Sequence, residues 1–138
     1  MKKEYLFFIF LFFVITKSHA QSHKEIVLID SLSKKWKIDS IEVKENKMRF
    51  AAPENIKDNF LNYKKDMTFT LQDGGILVKG KWKLDLDNRG IINHDTNNSS
   101  QDNDVIFNII QLTGSKLAIT SAPASGGQII LHYISTKE

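Results

Sequence analysis

The chain of 138 residues contains no cysteine. That absence excludes a disulfide framework, a thiolate nucleophile, cysteine-ligated zinc and a lipid on the first residue of a processed N-terminus. Beyond residue 20 the three histidines, His23, His94 and His132, show no H-x-H or i, i+4 spacing, so the commonest metal ligands are not grouped by the sequence. Ser121 and Ser125 lie in no G-x-S-x-G turn. Asp102-Asn103-Asp104 lacks the spacing of a calcium loop, and Gly74-Gly75 and Gly126-Gly127 lack the pattern of a phosphate loop. These absences leave no catalytic residue, metal or cofactor to name, and the expectation is a protein that is not an enzyme.

Only one long apolar run is present. LFFIFLFFVIT, residues 6–16, follows the basic start MKKEY and precedes KSHA, with small residues Ser18 and Ala20 where a signal peptidase reads. As a helix this run would rise only about 16 Å at ~1.5 Å per residue, short of the ~30 Å hydrocarbon core. The expectation is a signal peptide over residues 1–20, cleaved after Ala20, and one domain over residues 21–138. The mature protein is then exported, periplasmic or secreted, soluble, without an integral membrane segment and not a lipoprotein. Setting aside Lys2, Lys3, Lys17 and Glu4 leaves 16 basic and 15 acidic residues. Much of the apparent basicity, a pI near 9.0, therefore belongs to the leader. A mature net charge of +1 argues against nucleic acid as a partner, because neutralising several phosphates needs a basic excess.

The rest of the chain reads in period two. In MTFTLQ, Met67, Phe69 and Leu71 face one way, and after Asp73-Gly74-Gly75 the alternation resumes with Ile76, Val78, Gly80, Trp82, Leu84 and Leu86. This is a hairpin, with Lys79, Lys81, Lys83 and Asp85 on its solvated side. WKIDSIEV reads as an earlier strand, with a change of phase at Ser40-Ile41 that predicts a bulge. A short strand around Ile91 and Ile92 runs into a polar surface loop over residues 93–104. VIFNIIQL, residues 116–120 and QIILHYIS follow as strands joined by turn-rich segments. The first and last of these are apolar on both faces, so an outer cover is expected. Residues 24–34 and 54–64 supply it as short helices, with Ile26, Ile29 and Leu32 on one and Ile56, Phe60 and Tyr63 on the other. About seven strands in succession, without βαβ alternation, make an all-β fold with one or two short helices. It is an antiparallel up-and-down meander that closes as a small β-barrel, with a sandwich as the alternative.

The order WKI at Trp36, MTFTLQDGG, GKWKLD, IFNIIQLTGSKLAIT and IILHYISTK, behind a signal peptide, resembles the lipocalin-like domain family of small exported bacterial proteins. The resemblance spans nearly the whole mature chain and implies an up-and-down barrel whose cup takes a small apolar molecule. It carries no catalytic residues. The first-strand Trp lacks the family's preceding Gly, Lys34 standing there, while Gly80-Lys81-Trp82 has the G-x-W spelling in a later strand.

The candidate ligand contacts at the barrel interior are Phe69, Val78, Trp82, Phe107 and Tyr133, which equally serve as packed core. Two functions follow. One is a non-catalytic protein that binds a small apolar or amphipathic molecule. The other is a filled-core interaction module of the cell envelope, acting through residues 93–104 and 121–127 on a protein partner the sequence does not name. The two WK[IL]D stretches are expected to be strands with inward indoles at equivalent depth.

Overall fold

The computed structural model describes residues 23–96, 104–121 and 127–136. The leader therefore lies outside the described residues, as do residues 97–103 and 122–126, most of the two expected loops. A helix, α1 (23–32), comes first. The strands after it are β1 (Lys35–Val43), β2 (Met48–Ala51), β3 (Phe60–Tyr63), β4 (Thr68–Asp73), β5 (Ile76–Asp85), β6 (Gly90–Asp95), β7 (Asp104–Leu112), β8 (Lys116–Ser121) and β9 (Ile129–Ser135).

Every pairing is antiparallel, and β1 joins β3 on one side and β9 on the other. All strands but β2 thus form a closed ring of eight, which removes the sheet edges that an open meander would expose. The expected barrel is the observed architecture. β2 pairs with Ser40–Val43 of β1, on the edge that β3 leaves free, and so extends the wall beyond the ring.

Local sequence explains the joints. Gly74 and Gly75, with φ of 54° and 90°, form the two-residue turn between β4 and β5, where both central residues need positive φ. The β1 bulge lies between Ile38 and Ser40, one step before the expected place. It lets Trp36 and Ile38 face inward before it and Ile41 after it, while Ser40 turns outward to accept a 2.6 Å hydrogen bond from Arg49 Nε. Gly80 is required by close approach. A β-carbon there would sit 2.0 Å from the His94 carbonyl oxygen and 2.7 Å from Phe69 Cε1.

Residues 54–64 do not form the expected helix. Residues 54–58 are turn, and β3 pairs Leu61 with both Trp36 and Leu71. Leu61 and Tyr63 are buried while Phe60 turns outward beneath Lys35 Nζ, 4.2 Å from its ring centre. Two ladders of backbone hydrogen bonds outweigh a weak helical spacing, because a gap in the ring would leave buried N–H and C=O groups unpaired. The expectation of an outer cover also fails among the described residues. Helix α1 goes to one end of the barrel, and Ile106, Ile110 and Ile134 stay exposed on the outer wall.

That end is closed by packing. Leu32 at the end of α1 is fully buried, and its carbonyl accepts the Trp36 indole N–H at 2.9 Å. Trp82 donates to the Lys64 carbonyl at 3.0 Å, so both indoles are inward with their polar atom satisfied near the same end. Tyr63 packs between Trp82 and Phe69, at ring-centre distances of 4.9 and 6.3 Å. Ile91, Leu117 and Ile119 complete this core. Each such side chain contributes about 1.5–3 kcal/mol on burial.

Candidate functional site

The opposite end is different. A cavity of about 260 Å³ opens inside the ring toward the β4–β5 turn and the 52–59 connection. Its walls are Ile38, Leu61, Leu71, Phe107 and Leu131, and its polar lining includes Asn59, Asp73, Asn93 and Tyr133. Period-two alternation brings them together: 61 on β3, 71 and 73 on β4, 93 on β6, 107 on β7 and 131 and 133 on β9 all face inward. The volume equals roughly nine waters at ~30 Å³ each, just below the ~300 Å³ at which pockets for drug-sized ligands begin.

Asn93 is the unusual lining group. It is 4 % exposed, its Nδ2 donates to the Tyr63 hydroxyl at 3.1 Å, and its Oδ1 has no partner. Reversing the amide would place Oδ1 on Tyr63 and leave Nδ2 unpaired instead. Either way one buried polar atom of Asn93 is unsatisfied by the protein, a state that costs about 1–3 kcal/mol. The tyrosines beside it are held neutral. Burial pushes the Tyr63 hydroxyl well above its ordinary pKa, and burial followed by the nearby Asp73 carboxylate does the same for Tyr133.

The mouth is stapled and greasy. Asn59 Nδ2 donates to Asp73 Oδ1 at 2.7 Å while its Oδ1 accepts the Gly74 N–H at 3.0 Å, which ties the 52–59 connection to the β4–β5 turn. Around this opening, Met48, Phe50, Ile76, Val105 and Ile129 are exposed. Register puts each on the interior-facing side of its strand: Phe50 opposite Ile41, Met48 and Ile129 opposite Val43, Val105 opposite Asn93, and Ile76 in phase with Val78. The inner apolar lining therefore continues past the ring onto the β1–β2 hairpin.

Of the sequence candidates, Phe107 and Tyr133 line the cavity. Phe69 and Trp82 are buried in the packed half, and Val78 is half-buried against it. The histidines do not converge. His94 Nδ1 lies 2.7 Å from Asp104 and His132 Nε2 lies 2.8 Å from Glu42, on the outer faces of strands separated by β7 and β8. Asn93 was missed because residues 93–104 read as a polar loop. Residues 93–95 are in fact the second half of β6, and the signal was present as alternation from Ile91 to Asn93. A second cleft, of about 350 Å³, lies outside the ring between α1 and the turns after β5 and β7. Its polar lining residues Ser31, Asp85, Arg89 and Thr113 are half-buried or exposed, so among the described residues it holds, unlike the cup, no buried side-chain group in want of a partner.

No family profile matches the sequence, and no curated protein does. Among solved structures, the chain is similar to a DUF4847 family protein from Bacteroides vulgatus. The TM-score is 0.52 at 16 % identity, over 78 % of this chain and 96 % of that one. This likeness shows a shared barrel fold.

Proposed function

We propose that this protein is an exported, non-enzymatic binding barrel that takes a small apolar or amphipathic molecule into the open end of the ring. The observation that carries this reading is the 260 Å³ cavity with aliphatic and aromatic walls, inside a fold whose other half is densely packed. A filled-core interaction module would have closed that space with side chains, since interiors pack near crystal density. The exposed apolar rim supports the same reading, because it offers a low-water path into the cup. The lipocalin-like resemblance points the same way. Export rests on the leader, residues 1–20, and protein recovered from an exporting host should begin at Gln21.

Nile red, a neutral dye whose emission moves to the blue in apolar surroundings, tests the cup. The expected result is saturable blue-shifted emission that octanol displaces. Leu131→Phe, which fills the cavity from β9 at a cost of about 1–3 kcal/mol in overpacking, should abolish it while the fold persists by circular dichroism. Unchanged dye binding in that folded variant would place the dye elsewhere and remove support for the cup.

A further inference from the structure

From the groups inside the cup we infer that its ligand carries an uncharged hydrogen-bonding head, such as an alcohol or primary amide, seated against Asn93, with its apolar chain directed out over the rim. This rests on the binding reading above and adds the chemistry of the ligand.

Three observations carry it. First, Asn93 is buried, lines the cavity and keeps one amide atom unpaired. Buried polar groups are seldom left so, and one on a side chain that lines a cavity marks where an outside hydrogen bond belongs. Second, among the described residues the cavity lining contains no lysine, arginine or histidine, and its one ionisable carboxyl is Asp73. An anionic head would lose its hydration, find no cation and face a carboxylate; a cationic head set deep at Asn93 would be desolvated without a counter-charge, since Asp73 sits at the mouth and is itself exposed. Third, the apolar side chains at the opening, Ile76 and Ile129 on the rim of the ring and Met48 and Phe50 on β2 beyond it, form an exposed shelf. A chain too long for 260 Å³ meets apolar surface there, whereas a polar head would not. Head inward and chain outward is the only orientation that satisfies both ends.

Calorimetric titration of the mature protein with octanol, octanamide, octylamine and octanoate near neutral pH tests this. Octanol and octanamide should bind most tightly, with octanoate and octylamine weaker by on the order of 100-fold, from desolvation of an uncompensated charge. Asn93→Leu should weaken octanol by about tenfold, the worth of one hydrogen bond to a buried polar group, while the fold persists by circular dichroism. Equal binding of octanoate and octanol, or an octanol affinity indifferent to Asn93→Leu in a variant that still takes up Nile red, overturns the head-group assignment while the cup stands. Failure of Nile red and of all four ligands overturns the binding reading itself. Should Asn93→Leu unfold, Asn93→Gln supplies the second arm, since moving the amide by one methylene should cost octanol affinity without removing polarity.

Discussion

The two ends of one barrel use the same alternation to opposite effect. At the helix end, inward positions carry Trp36, Tyr63, Phe69 and Trp82, whose rings fill the ring's width and whose polar atoms are met by protein groups or by local backbone carbonyls. At the open end they carry mostly shorter Ile, Leu and Asn beside Phe107 and Tyr133, and a space remains that the wall does not collapse to fill. The difference teaches that a barrel of fixed strand number has a nearly fixed bore, so side-chain size along each strand decides where it is solid and where it is hollow. The dense packing is concentrated in the first half and the cavity in the second.

Breaking that division should be easiest at the solid end. Trp82→Ala removes a buried ring packed on Tyr63 and is expected to cost about 3–5 kcal/mol, read as a fall in the urea midpoint, while any folded fraction keeps its preference for neutral heads. A loss below about 1 kcal/mol with weakened octanol binding would mean that Trp82 belongs to the cup.

Alkaline titration sharpens the comparison next. Tyr63 and Tyr133 have folded-state pKa values raised above their ordinary ~10. Their contribution to stability is complete below that unfolded value and is lost as pH rises above it, because the unfolded chain then releases protons that the folded chain retains. The slope reaches at most about 2.7 kcal/mol per pH unit when both differ fully. Tyrosinate absorbance should therefore stay absent as pH passes 10 and appear together with unfolding. Gradual ionisation at ordinary pKa in the folded protein would show that water reaches both hydroxyls.

The smallest effect is expected at the mouth. Asn59→Ala removes the pair of hydrogen bonds that hold the 52–59 connection to the β4–β5 turn, at about 1 kcal/mol for such exposed bonds. Amide exchange in residues 52–59 should quicken while the N–H groups of β8 stay protected. A uniform change across the barrel would instead make this connection part of the global folding unit.

Much of the wall was legible along the chain. The β4–β5 hairpin, the inward Trp82, the lysines beside it and the β1 bulge all follow from local alternation and from glycines placed where φ is positive. β2 and β3 were not legible, since four-residue strands offer two inward positions each, and β3 carries a spacing that also fits a helix. Phe107 and Tyr133 were read as interior from their apolar neighbours. Asn93 was passed over because a polar side chain inside a barrel looks, in sequence, like the start of a loop.

The sequence by itself determined the class of fold and which face of β4 and β5 is apolar, because pleating makes orientation a matter of odd and even positions. Only the tertiary structure decided that β1 closes against both β3 and β9, that α1 covers an end rather than a wall, and that Asn93 lines a cavity with one amide atom unpaired. Those depend on which strands meet and how much volume their side chains leave at each height of the ring. Neither quantity is written in the order of residues along one strand, and together they separate the packed end from the hollow one.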